Sequence, residues 1–366
     1  MFKKRIIIAL SIFILLMPLS VQALNYDESY VEYVNNSLID ETINDYNQLV
    51  ASYSENYNKY VNMHIRSRRM YTIVYAYINK IIGKLQINYD IQKAKERVLK
   101  MKLETEISFR ANFYNLYILE KNKNNSYDKY QKQLQNYNEE IDMFNKGYID
   151  SMEIRYAKYY KESAYINYIA NKRSYENMLR KFDVKIGENY IFNEYNFSIK
   201  ESIKDILAEE QYISYAKNNC IVLKEYDRQI EKNNIELDYI EGYNLDDISY
   251  EASIERLKID LSLQIINLKK EQYIANLETQ IKEQYESLSI QKDEINNYEI
   301  YIKICKLKEK ENRQFYNNGD MEKEEYQIYK ENYEKALITY DEKIYLYNSG
   351  ILNLEKISCM YMKGEF

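Results

Sequence analysis

The chain has 366 residues, 46% apolar and 30% charged, with 7 glycines, 1 proline, 1 histidine, 3 cysteines, 43 tyrosines and a formal net charge of −6. The proline is Pro18, so everything after it lacks the residue that loop-rich folds use to punctuate turns; sandwiches, closed β-barrel domains and doubly wound α/β domains are excluded. One histidine and three scattered cysteines are poor material for zinc, haem or iron–sulfur ligation, and no cofactor is expected.

Residues 1–23 open on Lys3, Lys4 and Arg5, continue through the apolar run Ile6 to Leu16, and close on Val21-Gln22-Ala23. This is the layout of a secretory signal peptide cut after Ala23, with retention as a membrane anchor the alternative. The apolar run is short for a membrane-spanning helix, which needs about 20 residues, and no later stretch is apolar enough to span as a helix. Losing Lys3, Lys4 and Arg5 takes the net charge from −6 to −9, which argues against nucleic acid as a partner. The densest basic group, Arg66, Arg68 and Arg69 beside His64, reads as a solvated helix face, with an anionic-lipid or glycan contact the alternative. Cys220, Cys359 and Cys305 are far apart and odd in number; they form no disulfide framework and read as small apolar fillers.

A short helix opens the mature chain around Tyr33-Val34-Asn35-Asn36-Ser37, and a minor break is expected near Gly83. From about Tyr89 to Asn145 a long helix is predicted, with Ile91, Ala94, Val98 and Met101 at helical spacing. The turn Asn145-Lys146-Gly147-Tyr148 ends it, with glycine supplying the left-handed residue. Asp150 with Glu153 three residues on makes a capping-box pattern for the next helix. That helix carries Ile154, Ala157, Lys161, Ala164, Tyr168, Asn171, Tyr175, Met178 and Phe182 in one heptad seam. A second stripe, Met152, Tyr156, Tyr159, Ile166 and Ala170, runs beside it. One seam suits a two-stranded coiled coil; two adjacent seams suit a helix with neighbours on both sides, and one wide face in an ordinary bundle is the alternative.

Asp183 to Ser198 reads as an extended linker, after which the pattern repeats. Tyr215-Ala216-Lys217-Asn218-Asn219-Cys220 lies in a second short helix, and a break falls around Glu241-Gly242-Tyr243-Asn244. Ser253 to Asn317 is a second long helix, with Ile254, Leu257, Leu261 and Leu268 at helical spacing. It ends at Asn317-Asn318-Gly319-Asp320. A shift of 172 residues superimposes Gly147 on Gly319 and makes eight of the 25 positions from 144 to 168 identical, including Asn145/Asn317, Glu153/Glu325, Ala164/Ala336 and Tyr168/Tyr340. Upstream, Phe113 faces Tyr285 and Leu116 faces Leu288 in the same register. The chain is therefore expected to be all-α: a signal peptide (1–23), a first repeat (24–187) and a second repeat (188–366), each a long antiparallel coiled-coil hairpin. Each long helix would measure roughly 85–100 Å, a length suited to rods.

A signal peptide, tandem helical repeats and long hairpins turning at glycine resemble the TolC-type outer-membrane efflux proteins. Gly147 followed by Tyr148-Ile149-Asp150-Ser151-Met152-Glu153-Ile154, then Ala157 and Ala164, is similar to that family's glycine, short hydrophobic step and Ala-spaced helix. Asn35-Asn36 and Asn218-Asn219 fall where the family carries Asn-containing starts to the first helix of each repeat, and Leu179 to Gly187 resembles the end of its first repeat. The resemblance implies a helical bundle or tube, a homo-oligomer (a trimer in the family), and tips that dock on a membrane-fusion adaptor protein serving an inner-membrane transporter. The tips in question are Asn145, Lys146, Gly147 and Tyr148, and Asn317, Asn318, Gly319 and Asp320. One departure stands out. The family inserts a strand pair into each repeat to build a β-barrel, and such strands need about 9–11 alternating residues; here only Met70 to Ile78 and the polar, acidic Asn234 to Ser249 offer candidates.

No phosphate-binding glycine loop, histidine pair, nucleophile elbow or CxxC is present in the sequence. The carboxylates, Glu139-Glu140 and Glu322, Glu324 and Glu325 among them, sit with lysines on helical faces. An enzyme is not expected. Two readings follow: a passive TolC-like export duct in the cell envelope, in the outer membrane and periplasm or at the surface of a cell without an outer membrane; or an exported structural rod with no transport role.

Overall fold

A computed structural model describes residues 26–35, 37, 39–61, 70–186, 202–242 and 250–363. The expected signal peptide, the basic group at His64–Arg69 and most of the linker after Ile186 lie outside the described residues. Eight α-helices follow in chain order: α1 (Tyr26–Asn35), α2 (Ile39–Val61), α3 (Met70–Asn145), α4 (Ser151–Ile186), α5 (Glu209–Asn219), α6 (Ile221–Gly242), α7 (Tyr250–Asn318) and α8 (Lys323–Ile357), with a terminal 3-10 turn at Met360–Lys363. Among the described residues there is no strand. The all-α expectation holds.

Three local expectations are corrected. Gly83 breaks nothing: α3 runs through it for 76 residues, roughly 110 Å, because one interior glycine costs only about 1 kcal/mol against a long stretch of helix. The strand candidates Met70 to Ile78 and the described part of the second, Asn234 to Gly242, are helical. Asn35 and Asn219 end the short helices α1 and α5 rather than starting them. Asn219 turns its side-chain amide back to donate to the Tyr215 carbonyl at 3.0 Å, and the Cys220 N–H donates to Ala216 at 3.0 Å, so asparagine serves a helix C-terminus here.

The chain divides into two compact units, residues 1–37 with 108–199, and residues 38–107 with 200–366. In the first unit the later part of α3 pairs antiparallel with α4. Tyr127 meets Tyr168 with ring centroids 5.2 Å apart, Tyr130 meets Tyr165 at 5.2 Å, and Lys123 lies over the Tyr175 ring at 4.3 Å. Its core is an aromatic knot in which Phe109, Phe113 and Phe182 sit with centroids 5.6–6.2 Å apart, all three fully buried. Tyr33 of α1 packs edge-on against Phe109 at 5.4 Å. Its hydroxyl shares a 2.9 Å hydrogen bond with Ser108 and accepts from Lys185 Nζ at 3.0 Å.

In the second unit α7 pairs antiparallel with α8, and α5 and α6 lie against α7. Tyr212, Ala216 and Leu223 join Leu277, Ile281, Leu288 and Ile295 of α7 and Ile344, Tyr347, Ile351 and Leu354 of α8 in one buried cluster. The segment leading into α5 is tied down by the buried Asn348: its Oδ1 accepts from the Lys204 N–H at 3.1 Å and its Nδ2 donates to the Ser202 carbonyl at 3.0 Å. The 172-residue offset read from the glycines also relates the deepest core positions. Phe109/Ile281, Leu116/Leu288 and Phe182/Leu354 are fully buried pair by pair, each within its own unit.

The two hairpin turns are built alike. Gly147 (φ 78°) and Gly319 (φ 83°) occupy the left-handed region. Around the first, Tyr148 N–H donates to Met143 and Gly147 N–H to Phe144; around the second, Asp320 N–H donates to Phe315 and Gly319 N–H to Tyr316. This pair of bonds is the Schellman motif, which satisfies the last carbonyls of the incoming helix. The outgoing helices differ. Asp150 Oδ1 accepts from the Met152 and Glu153 amides at 2.7 and 3.2 Å while Glu153 Oε2 accepts from the Asp150 amide at 3.2 Å, completing the expected capping box. Glu322 starts α8 with no side-chain cap. Asp150→Ala should therefore lower stability by about 1 kcal/mol in urea unfolding, whereas Glu322→Ala should change it by less than half of that.

Candidate functional site: hairpin tips and exposed apolar stripes

At the first tip, Asn145, Lys146, Gly147 and Tyr148 are all exposed, Tyr148 at 73%. At the second, Asn317, Asn318, Gly319 and Asp320 are exposed as well. Each set of four residues is brought together by its own Schellman turn. Neither glycine has an atom within 4 Å of where a Cβ would stand, so glycine is required for its φ and not for lack of space. Large apolar side chains stand just before each turn, beyond the residues expected from the sequence. Met143 and Phe144 at the first tip and Phe315 and Tyr316 at the second are exposed. The available signal was position: in the last turn before a hairpin end, no neighbouring helix remains to cover them.

Along α4 the two predicted stripes separate cleanly. Ile154, Ala157, Lys161, Ala164, Tyr168, Asn171, Tyr175 and Met178 are half-buried and Phe182 is buried, facing α3. Met152, Tyr156, Tyr159, Ile166 and Ala170 are all exposed, Ile166 at 67%. A comparable face lies on α7. Leu257, Leu261 and Leu268, which stand at helical spacing, are exposed, Leu257 at 68%. The α7 core is formed instead by Leu277, Ile281, Leu288 and Ile295. Further along, Ile290 is exposed, as are Ile300, Ile304 and Leu307 at 3–4 spacing. Scattered surface apolar residues are ordinary, but rows of them at heptad spacing on long helices are the signature of an unmade helix–helix interface.

Around these faces the chemistry is that of solvated pairs. Lys343 meets Glu294 at 2.8 Å and Lys303 meets Glu299 at 3.0 Å, both in exposed settings worth little individually. Among the described residues no group of three or more His, Cys, Asp or Glu side chains converges as a metal site would need. No described helix is long and apolar enough to cross a membrane. Burial pushes the Tyr175 hydroxyl up to about 12, with Glu120 and Asp183 adding to the shift. That group lies in the seam, away from either tip.

No protein-family model and no curated protein matches the chain by sequence. Solved structures do match by fold. The Campylobacter jejuni CmeC outer membrane channel is 12% identical, with a TM-score of 0.52 over 77% of this chain and 67% of its own. CusC, described for transmembrane channel formation, is 8% identical, with a TM-score of 0.56 over 91% of this chain and 92% of its own. A membrane protein from Pseudomonas aeruginosa is 8% identical, with a TM-score of 0.57 over 93% and 95%. The helical fold of the described residues is similar to that of these outer-membrane channels, in line with the resemblance carried by the residues around Gly147.

Proposed function

We propose that the chain is one subunit of a passive export duct in the cell envelope, a homotrimer that works with a membrane-fusion adaptor protein and an inner-membrane transporter. The observation that carries this reading is the row of exposed apolar side chains on α4 and α7, which are spaced for helix–helix packing. Copies of the chain supply the missing helices. The fold it shares with known channels supports the same arrangement. Covering a leucine- or tyrosine-sized side chain contributes about 1.5–3 kcal/mol, so a face of four or five favours association strongly.

In this reading the tips at Gly147 and Gly319 meet the adaptor. Lys146→Glu and Asp320→Lys, with both glycines kept, should shift folding stability by no more than about 0.5 kcal/mol. The same changes should weaken adaptor co-purification and raise sensitivity to an exported compound. Folded variants that match wild type in both assays would reduce the tips to solvent-exposed turns and remove the residue-level basis for the adaptor. A second reading, an exported rod without transport, is favoured by one observation: the described parts of both strand candidates are helical. Deleting the chain separates the two, since a rod leaves compound sensitivity unchanged and a duct does not.

A further inference from the structure

The sequence places Cys220 and Cys359 about 140 residues apart, and the fold brings them together in the buried core of the second unit. Both are free thiols and both are buried. Cys220 is the junction between α5 and α6, and Cys359 stands just after α8. The 3-10 turn that follows Cys359 packs against α5, which ends at the residue before Cys220. Cys305, on α7, belongs to no such pair and lies outside this cluster.

The backbone at Cys359 is a second, independent sign. Its φ of 59° makes it the one non-glycine residue with positive φ among the described residues. This left-handed position after a helix is usually filled by glycine, because a side chain there costs of order 1 kcal/mol. At Gly147 and Gly319 the chain does use glycine. Here it accepts the strain and places a thiol in the buried cluster that also holds Cys220.

We infer that Cys220 and Cys359 are a disulfide pair that locks the C-terminal end of α8 to the α5–α6 junction when the chain meets an oxidising compartment. The local setting selects which sulfur reacts first. Cys220 stands at the N-terminus of α6, where the amides of Val222 and Leu223 point at its sulfur, and Tyr273 Oη lies 3.5 Å away. These groups, with the Cys359 thiol, hold Cys220 below the ordinary thiol range, and Cys359 is pushed above it. The Cys220 thiolate attacks one sulfur of a small-molecule or protein disulfide oxidant. A mixed disulfide forms, and the oxidant's other sulfur leaves as a thiolate. Cys359 then loses its proton and attacks Cys220 Sγ, expelling the second oxidant sulfur. Two S–H bonds are lost and one S–S bond forms; the oxidant disulfide is reduced to two thiols, which take up the two protons.

The test uses the mature chain refolded in a glutathione and glutathione-disulfide buffer, and so does not depend on the export reading. Intact mass should fall by about 2 Da relative to the reduced chain, as one disulfide requires, and thiol titration in denaturant should find one free thiol in place of three. Peptide mapping should join the Cys220 and Cys359 peptides. The oxidised protein should melt on the order of 5 °C above the reduced one, since the bond closes a long loop in the unfolded chain. Cys305→Ser should keep the mass change, and Cys220→Ser or Cys359→Ser should abolish it. Three titratable thiols after oxidation, or a bond involving Cys305, would overturn the inference. Neither result bears on the duct.

Discussion

Phe182→Ala should destabilise the first unit by about 3–5 kcal/mol, the largest loss expected of any single substitution in that unit. Phe182 is 1% exposed and contacts Phe109, Phe113 and Tyr33, the three groups that hold α1, α3 and α4 together. A unit of one short helix and one hairpin has few other layers to collapse into the gap, so the cavity term should be fully felt. Leu354 occupies the matching place 172 residues on and is likewise fully buried; Leu354→Ala should cost the second unit about 2–5 kcal/mol. Chemical denaturation followed by circular dichroism reads both. A loss below about 1 kcal/mol at either site would mean that these residues are not core in solution, and that the 172-residue correspondence of burial does not reflect a shared plan.

Replacing Met152, Tyr156, Tyr159 and Ile166 together with glutamine should leave the folded single chain almost unchanged, yet weaken its self-association by at least about 100-fold. Each side chain is at least half exposed within its unit, so its removal alters stability by no more than about 0.5 kcal/mol per site. If a second copy covers these groups, their combined loss exceeds the roughly 2.8 kcal/mol that a hundredfold change requires. The inward seam supplies the control: Ala164→Gln and Tyr168→Gln should unfold the hairpin instead. Sedimentation velocity across a concentration series separates the two outcomes. Unchanged association in the folded quadruple variant would show that the exposed α4 stripe is not an interface.

Much of this was legible because long helices write their period directly into the sequence. The missing prolines, the heptad seam from Ile154 to Phe182, the two turn glycines and the Asp150–Glu153 cap are local features, and local physics decides them. What escaped depends on partners distant in sequence. Leu257, Leu261 and Leu268 carry the period of a core helix and lie exposed, since a face awaiting another chain and a face buried within its own obey the same spacing. The break expected at Gly83 does not form, because propensity weighs single residues whereas a helix of 76 residues averages over them. The family resemblance places helix starts at the asparagines near residues 35 and 219, but an asparagine amide can also satisfy the carbonyls of a helix end, as Asn219 does. The meeting of Cys220 with Cys359 follows from tertiary topology and has no signature in spacing.

The mass of the mature chain in solution and in mild detergent, measured by multi-angle light scattering over a wide concentration range, tests the duct most directly. The account predicts a discrete particle of three chains, which the quadruple variant of the α4 stripe reduces to one. A single chain at every concentration, with a mass no greater than the 44.4 kDa of the full sequence, would contradict it.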